Sequence, residues 1–296
     1  MIGVFDSGLG GLTVVRALRK LLPSETLLYL GDTARVPYGN KSKETVARYA
    51  DEALRFLKTV ASELNTRRTH EAEHSSQAPS SVPWPLPLKM VVIACNTVTA
   101  VALPLLRQRI DVPVIGVIRP AVQRAIQVTQ TRSVAVIGTE GTIRSRSYQH
   151  TLEEVDPGME ILAIPCPLLA PLVEEGWLSH PVTDLTLQIY LAPLRDHKSD
   201  TLILGCTHYP LLRPAIQTCV GERYTLVDSA DTTALDAHAL LQKRGWLAPS
   251  SAKGELLCFV TDSAERFRTF ADRFLGEAPQ SVEQVDLSRY TLGVKG

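Results

Sequence analysis

Short apolar runs separated by amphipathic stretches recur along the chain. Residues 2–5, 26–30, 90–94, 112–117, 133–138, 161–164, 201–204, 224–227 and 256–260 are dense in Val, Ile and Leu. They lack the in-out alternation of half-exposed strands, which is how strands buried on both faces read. Helical spacing intervenes, as over 42–64, where Val46, Tyr49, Ala50, Ala53, Leu54 and Leu57 fall on one face. Residues 12–21 read as a helix entered through Gly8-Leu9-Gly10-Gly11. Alternating strands and helices predict an α/β fold with mainly parallel sheets.

One stretch breaks the pattern. Residues 65–89 hold Pro79, Pro83, Pro85 and Pro87 together with Ser75, Ser76, Ser80 and Ser81. Prolines in this density exclude a continuous helix or a central strand. The segment is expected to be an exposed loop inserted before the strand at 90–94, longer than α/β connections usually are.

Composition narrows the function. A chain of 296 residues can build two domains. Its formal net charge is zero, so attraction to nucleic acid or membrane surfaces is not expected. No apolar run approaches the roughly 18 residues of a membrane helix. The first residues lack a basic region followed by a hydrophobic one, so a cytoplasmic location is the expectation. Five cysteines, widely spaced and without a Cys-x-x-Cys pair, argue against a disulfide framework.

Two of these cysteines echo each other. Cys95 follows Met90-Val91-Val92-Ile93-Ala94 and precedes Asn96-Thr97. Cys206 follows Thr201-Leu202-Ile203-Leu204-Gly205 and precedes Thr207-His208, 111 residues later. Each lies at a strand end feeding a helix-like stretch, where α/β proteins place chemistry. A helix start is expected to make such a thiol more acidic. The echo suggests two similar halves whose strand ends face one cleft.

Several cysteine chemistries fail on spacing. A cysteine phosphatase would need Arg where Leu212 stands. His208 is too near Cys206 for a protease pair, and two cysteines with one histidine fall short of a zinc site. Two thiols can act instead as paired acid and base, one removing a proton from carbon and the other returning one to the opposite face. Such inversion needs no cofactor if the developing charge is stabilised. Other polar candidates follow the first two strands. Asp6-Ser7-Gly8 reads either as a helix cap or as a carboxylate-binding turn; it is not a dinucleotide fingerprint, because Thr13 stands where the third glycine belongs. Asp32 ends the second strand, and Pro37-Tyr38-Gly39 forms a turn after it.

Four blocks then carry a resemblance: Asp6-Ser7-Gly8-x-Gly10-Gly11-Leu12-Thr13-Val14, Gly31-Asp32 with Pro37-Tyr38-Gly39, Ala94-Cys95-Asn96-Thr97, and Gly205-Cys206-Thr207-His208-Tyr209-Pro210-Leu211. Together they resemble the signatures of glutamate racemases, within the aspartate/glutamate racemase family. Gly138-Thr139-x-x-Thr142 is similar to a further block.

The resemblance implies a cofactor-independent enzyme that interconverts L- and D-glutamate for peptidoglycan synthesis, and a homodimer. It also implies two pseudo-twofold-related α/β domains with the active site in the cleft between them. The expected division is 1–98 plus 208–296 against 99–207. Cys95 and Cys206 match the catalytic acid/base pair, acting on the D and L enantiomers respectively. Asp6, Asp32, Glu174 and His208 match supporting residues. Substrate contacts match Asp6, Ser7, Tyr38, Gly39, Asn96, Thr97, Thr139, Thr207 and His208. No metal is implied. The chain opens directly at the first strand, so activation by a cell-wall precursor through an N-terminal extension is not expected. Aspartate racemisation, and non-catalytic binding of a dicarboxylic amino acid, are the competing readings.

Overall fold

A computed structural model describes residues 1–74, 87–279 and 281–291. The chain opens with β1 (Ile2–Asp6), α1 (Leu12–Leu21), β2 (Leu27–Gly31) and α2 (Lys43–His74). It continues through β3 (Met90–Ile93), α3 (Asn96–Arg107), β4 (Val114–Gly116) and α4 (Ile118–Val128). Next come β5 (Ser133–Gly138), α5 (Glu140–Arg144), α6 (Ser147–Val155), β6 (Glu160–Pro165), α7 (Leu169–Glu174) and α8 (Pro181–Tyr190). The last part holds β7 (Thr201–Gly205), α9 (Arg213–Val220), β8 (Thr225–Asp228), α10 (Ser229–Lys243), β9 (Leu256–Val260), α11 (Ala264–Leu275) and β10 (Ser281–Gln284).

Two parallel sheets result. The first runs β10-β9-β2-β1-β3-β4 and the second β6-β5-β7-β8. Within the first, β2-β1-β3-β4 has the same order as the whole second sheet, so one topology is used twice. In each copy a cysteine follows the third strand: Cys95 after β3 and Cys206 after β7.

Strand alternation sorts the core. In the first sheet Ile2, Val4, Leu27, Tyr29, Met90 and Val92 face a core shared with the second lobe. Phe5, Leu28, Leu30, Val91 and Ile93 face the opposite core, with Val46, Ala50, Ala53, Leu54 and Leu57 of α2. In the second sheet Ala135, Ile137, Leu202 and Leu204 join the shared core, while Val134, Val136 and Ile203 pack with Ile118, Val122 and Tyr148. Burying each large side chain contributes about 1.5–3 kcal/mol, so the continuous shared core fixes the two strand-end rims against each other.

Two expectations change. Residues 65–74, expected in the loop, continue α2. They contain neither Pro nor Gly, and the prolines begin only at Pro79; residues 75–86 lie outside the described residues. The expected division also parts company with strand membership. Val114–Gly116 pairs with β3 in the first sheet, and Thr225–Asp228 pairs with β7 in the second. A parallel β-α-β unit returns to its own sheet, so each boundary shifts one unit downstream of its cysteine. Among the described residues, no helix is long and apolar enough to cross a membrane.

Candidate active site

Cys95 is the N-cap of α3 and only 6% exposed. The Ser7 hydroxyl donates to its sulfur at 3.2 Å. Burial and the neighbouring Asp6 charge push the thiol up to about 12, against the smaller pull of the Ser7 hydroxyl and the Val98 amide. Desolvation and a like charge therefore outweigh the acidity expected of a helix start.

Asp6, at the end of β1, is itself buried. Burial raises its carboxyl, while the amides of Gly11, Gly8 and Ser7 and the charge of His208 draw it down. The Gly8 amide donates to Oδ2 at 3.0 Å, and buried Oδ1 has no partner among the described residues. Tyr29 donates its hydroxyl to the Gly8 carbonyl at 2.7 Å and lies 3.5 Å from Asp6 Oδ2, bracing the turn that carries Ser7.

Cys206 follows β7, and the chain makes a 3₁₀ turn over Tyr209–Leu212 before α9. Its sulfur lies 3.7 Å from His208 Nδ1, and His208 Nε2 lies 2.9 Å from Glu174 Oε1. Sulfur, imidazole and carboxylate thus form a line. Burial opposes a charge on His208, yet the Cys206 sulfur and the Glu174 carboxylate outweigh it and push the imidazole up to about 10. Burial pushes the Glu174 carboxyl up, and His208, with Arg266, more than offsets it, holding it below its ordinary range. From the first lobe, Arg273 donates to the Val173 and Glu174 carbonyls at 3.2 and 3.0 Å. Phe274 meets the His208 ring edge-on at 5.6 Å.

The two sides touch. A Cβ on Gly10 would stand 2.3 Å from Thr207 Oγ1 and 2.5 Å from His208 Nδ1, so only glycine lets the first lobe approach here. Thr13 donates to the Thr207 carbonyl at 3.1 Å. Thr97 of α3 lies 3.0 Å from the Thr139 hydroxyl and 3.2 Å from that of Thr142, and those two are 3.0 Å apart. Gly39 packs on Thr139, where a Cβ would stand 2.9 Å from the Thr139 Cβ. Charge on Cys206 adds a small upward push on the Cys95 thiol, so Cys95 senses the sulfur of the second lobe.

Asn96 follows Cys95 and is buried. Its Oδ1 accepts from the Tyr148 hydroxyl at 2.7 Å, and its buried Nδ2 has no partner among the described residues. Leaving such a donor unsatisfied costs about 1–3 kcal/mol. A carboxylate oxygen would satisfy it.

Most of the residues expected at the site meet in this cleft; Asp32 stands behind it. Its Oδ1 accepts from Thr261 at 2.8 Å, and its Oδ2 from Arg35 at 2.6 Å and from Tyr38. Among the described residues it makes no hydrogen bond to either sulfur and instead anchors the Tyr38-Gly39 turn. Three participants were not singled out from the sequence. Thr142 stood within a quoted block, and Tyr29 directly precedes the Gly31-Asp32 block. Tyr148 carries no sequence signal, because its part depends on α6 packing near α3.

The chain matches the model of the Asp/Glu/Hydantoin racemase family over residues 12–237. The chain belongs to this family. Among its members, the glutamate racemase of Geobacter metallireducens is 44% identical, over 97% of this chain and 96% of that protein. The crystal structure of a glutamate racemase isoform from Bacillus anthracis superposes with a TM-score of 0.85 at 38% identity, covering 97% of both chains. A Francisella tularensis glutamate racemase, solved in complex with D-glutamate, gives 0.82 at 32% identity, covering 98% of both. The two solved structures share the two-lobed α/β fold described above. Among the described residues, no group of three or more His, Cys, Asp or Glu side chains is arranged to hold a metal.

Proposed function

We propose that this protein is an isomerase that interconverts L- and D-glutamate without a cofactor, one of Cys95 and Cys206 removing the α-proton and the other delivering its own proton to the opposite face. The observation that carries the reading is the pairing of two thiols at equivalent strand ends of a repeated topology, each with its own polar partners. Similarity to glutamate racemases over nearly the whole chain supports the substrate.

In the L-to-D direction the Cys206 thiolate takes the α-proton, forming an S–H bond as the C–H bond breaks. The Cys95 thiol then gives its proton to the opposite face, leaving a thiolate there. The reverse reaction exchanges the roles. A Cys95 thiol held protonated suits the acid role, and a protonated His208 stands 3.7 Å from the Cys206 sulfur. Between the two steps, negative charge resides on the α-carboxylate side of the substrate. Asn96 Nδ2, the amides at the α3 start and the Thr97, Thr139 and Thr142 hydroxyls are donors suited to stabilising it. The reading extends to supply of D-glutamate for peptidoglycan by a cytoplasmic homodimer, on resemblance to the family alone.

The test is α-hydrogen exchange in deuterated water, followed by NMR with L-glutamate, D-glutamate and both enantiomers of aspartate. Exchange with inversion of glutamate is expected. Inversion of aspartate alone would move the assignment to that substrate. Binding of glutamate without exchange would leave a binding protein.

A further inference from the structure

The reaction proposed above needs a donor held steady against the substrate's carboxylate, and Asn96 is placed to supply it. An amide side chain has two nearly isosteric ends, of which only one donates. A flipped Asn96 would present a carbonyl oxygen to an anion. Its orientation rests on a contact at the far end: the Tyr148 hydroxyl, donating to Oδ1 at 2.7 Å, which leaves buried Nδ2 unpartnered.

Tyr148 is well fixed for this task. Ser147, its neighbour at the start of α6, donates to the Ala100 carbonyl of α3 at 2.8 Å, tying the two helices together. The Tyr148 ring is fully buried. Its edge lies against the end of β7, where a Cβ on Gly205 would stand 3.1 Å from Cε2. The ring therefore touches the residue before Cys206 while its hydroxyl holds the residue after Cys95.

We propose that Tyr148 is a positioning residue that holds the Asn96 amide in place, its hydroxyl bonded to Oδ1 so that the NH₂ group is left for the substrate carboxylate. The proposal rests on the glutamate racemase reading. Its hydroxyl is committed to Asn96 and has no part in moving the α-proton.

Tyr148→Phe removes only the hydroxyl. KM for both enantiomers should rise about five- to tenfold, the range of one lost hydrogen bond, while kcat falls less than about threefold. Asn96→Ala should raise KM at least as far. Adding Tyr148→Phe to Asn96→Ala should change KM by less than about twofold, because no amide remains to orient. Thermal melting reports folding in parallel, and Tyr148→Met, which also lacks a donor, should give the same split if the Phe variant does not fold. An unchanged KM overturns the proposal. So does a fully multiplicative loss in the double variant, or a fall in kcat with KM intact. Glutamate affinity measured by calorimetry separates the two claims. A wild type that binds glutamate but exchanges no α-hydrogen sinks the racemase reading, and Tyr148 is then judged on affinity. A wild type that binds no glutamate sinks both.

Discussion

Cys95 and Cys206 carry the same sulfur in different surroundings. Cys95 has a hydroxyl donor and a buried carboxylate beside it, and Cys206 has an imidazole backed by a carboxylate. If each sulfur serves one face of the α-carbon, removing one should leave the chemistry of the other. Cys95→Ser and Cys206→Ser should each lose about a thousandfold or more in racemisation, within the range of one acid/base group. Yet Cys95→Ser should still exchange the α-hydrogen of L-glutamate, and Cys206→Ser that of D-glutamate, as read by NMR in deuterated water. Exchange of both enantiomers by either variant would end the assignment of one face to each thiol. The sequence showed both cysteines because each closes an apolar run. Glu174 was named through the resemblance alone, with Glu175 adjacent to it; the structure gives the physical reason, since α7 ends at Glu174 and directs that carboxylate to His208. Asp32 was legible as a polar residue at a strand end, but its work as an anchor for Tyr38 depends on Arg35 and on Thr261, distant in sequence.

At the scale of elements, the site is made where loops after parallel strands interlock. Gly10 is the tightest point, in the turn between β1 and α1. Gly10→Ala would force its methyl into Thr207 and His208, and such overpacking costs about 1–3 kcal/mol. The movable neighbour is the His208 ring, so the relay to Cys206 should be displaced along with the fold. A lower melting temperature and a kcat/KM reduced about tenfold or more are expected, from thermal scans and a coupled racemisation assay. A variant with wild-type values in both would show that the two loops part freely. Every strand with a dense apolar run was readable. The one missed was β10, where Val282 alone of four residues is buried and the sequence Ser281-Val282-Glu283-Gln284 gives no run to recognise. The end of α2 was hidden by the Pro-rich segment that follows it, although residues 65–74 contain no Pro or Gly and include the helix formers Arg67, Arg68, Glu71, Ala72 and Glu73.

For the molecule as a whole, the twofold echo seen at the cysteines proved to be an echo of entire strand orders, β2-β1-β3-β4 and β6-β5-β7-β8. The halves were legible, but their boundaries were not, since a cysteine motif marks the middle of a β-α-β unit and not its end. The lobes meet through buried groups whose charge depends on pH, and this has a consequence for global stability. His208 holds its proton up to about 10 in the folded protein, against an ordinary value of 6.5. Below 6.5 both folded and unfolded chains bind that proton, and its stabilisation is fully present. Between 6.5 and about 10 only the folded chain holds it, so stability falls as pH rises through this window. At about 1.4 kcal/mol per pH unit, the loss from pH 7 to pH 9.5 is about 3 kcal/mol. Cys95, raised from 9.0 to about 12, adds a loss of the same sign that begins only near the top of that range. The wild-type melting temperature should therefore drop between pH 7 and pH 9.5. His208→Asn, with no proton to hold, should start lower and show a markedly flatter profile. An equally steep profile in His208→Asn would mean that other groups carry the alkaline dependence and that the line from Glu174 through His208 to Cys206 does not hold a charge in the resting protein.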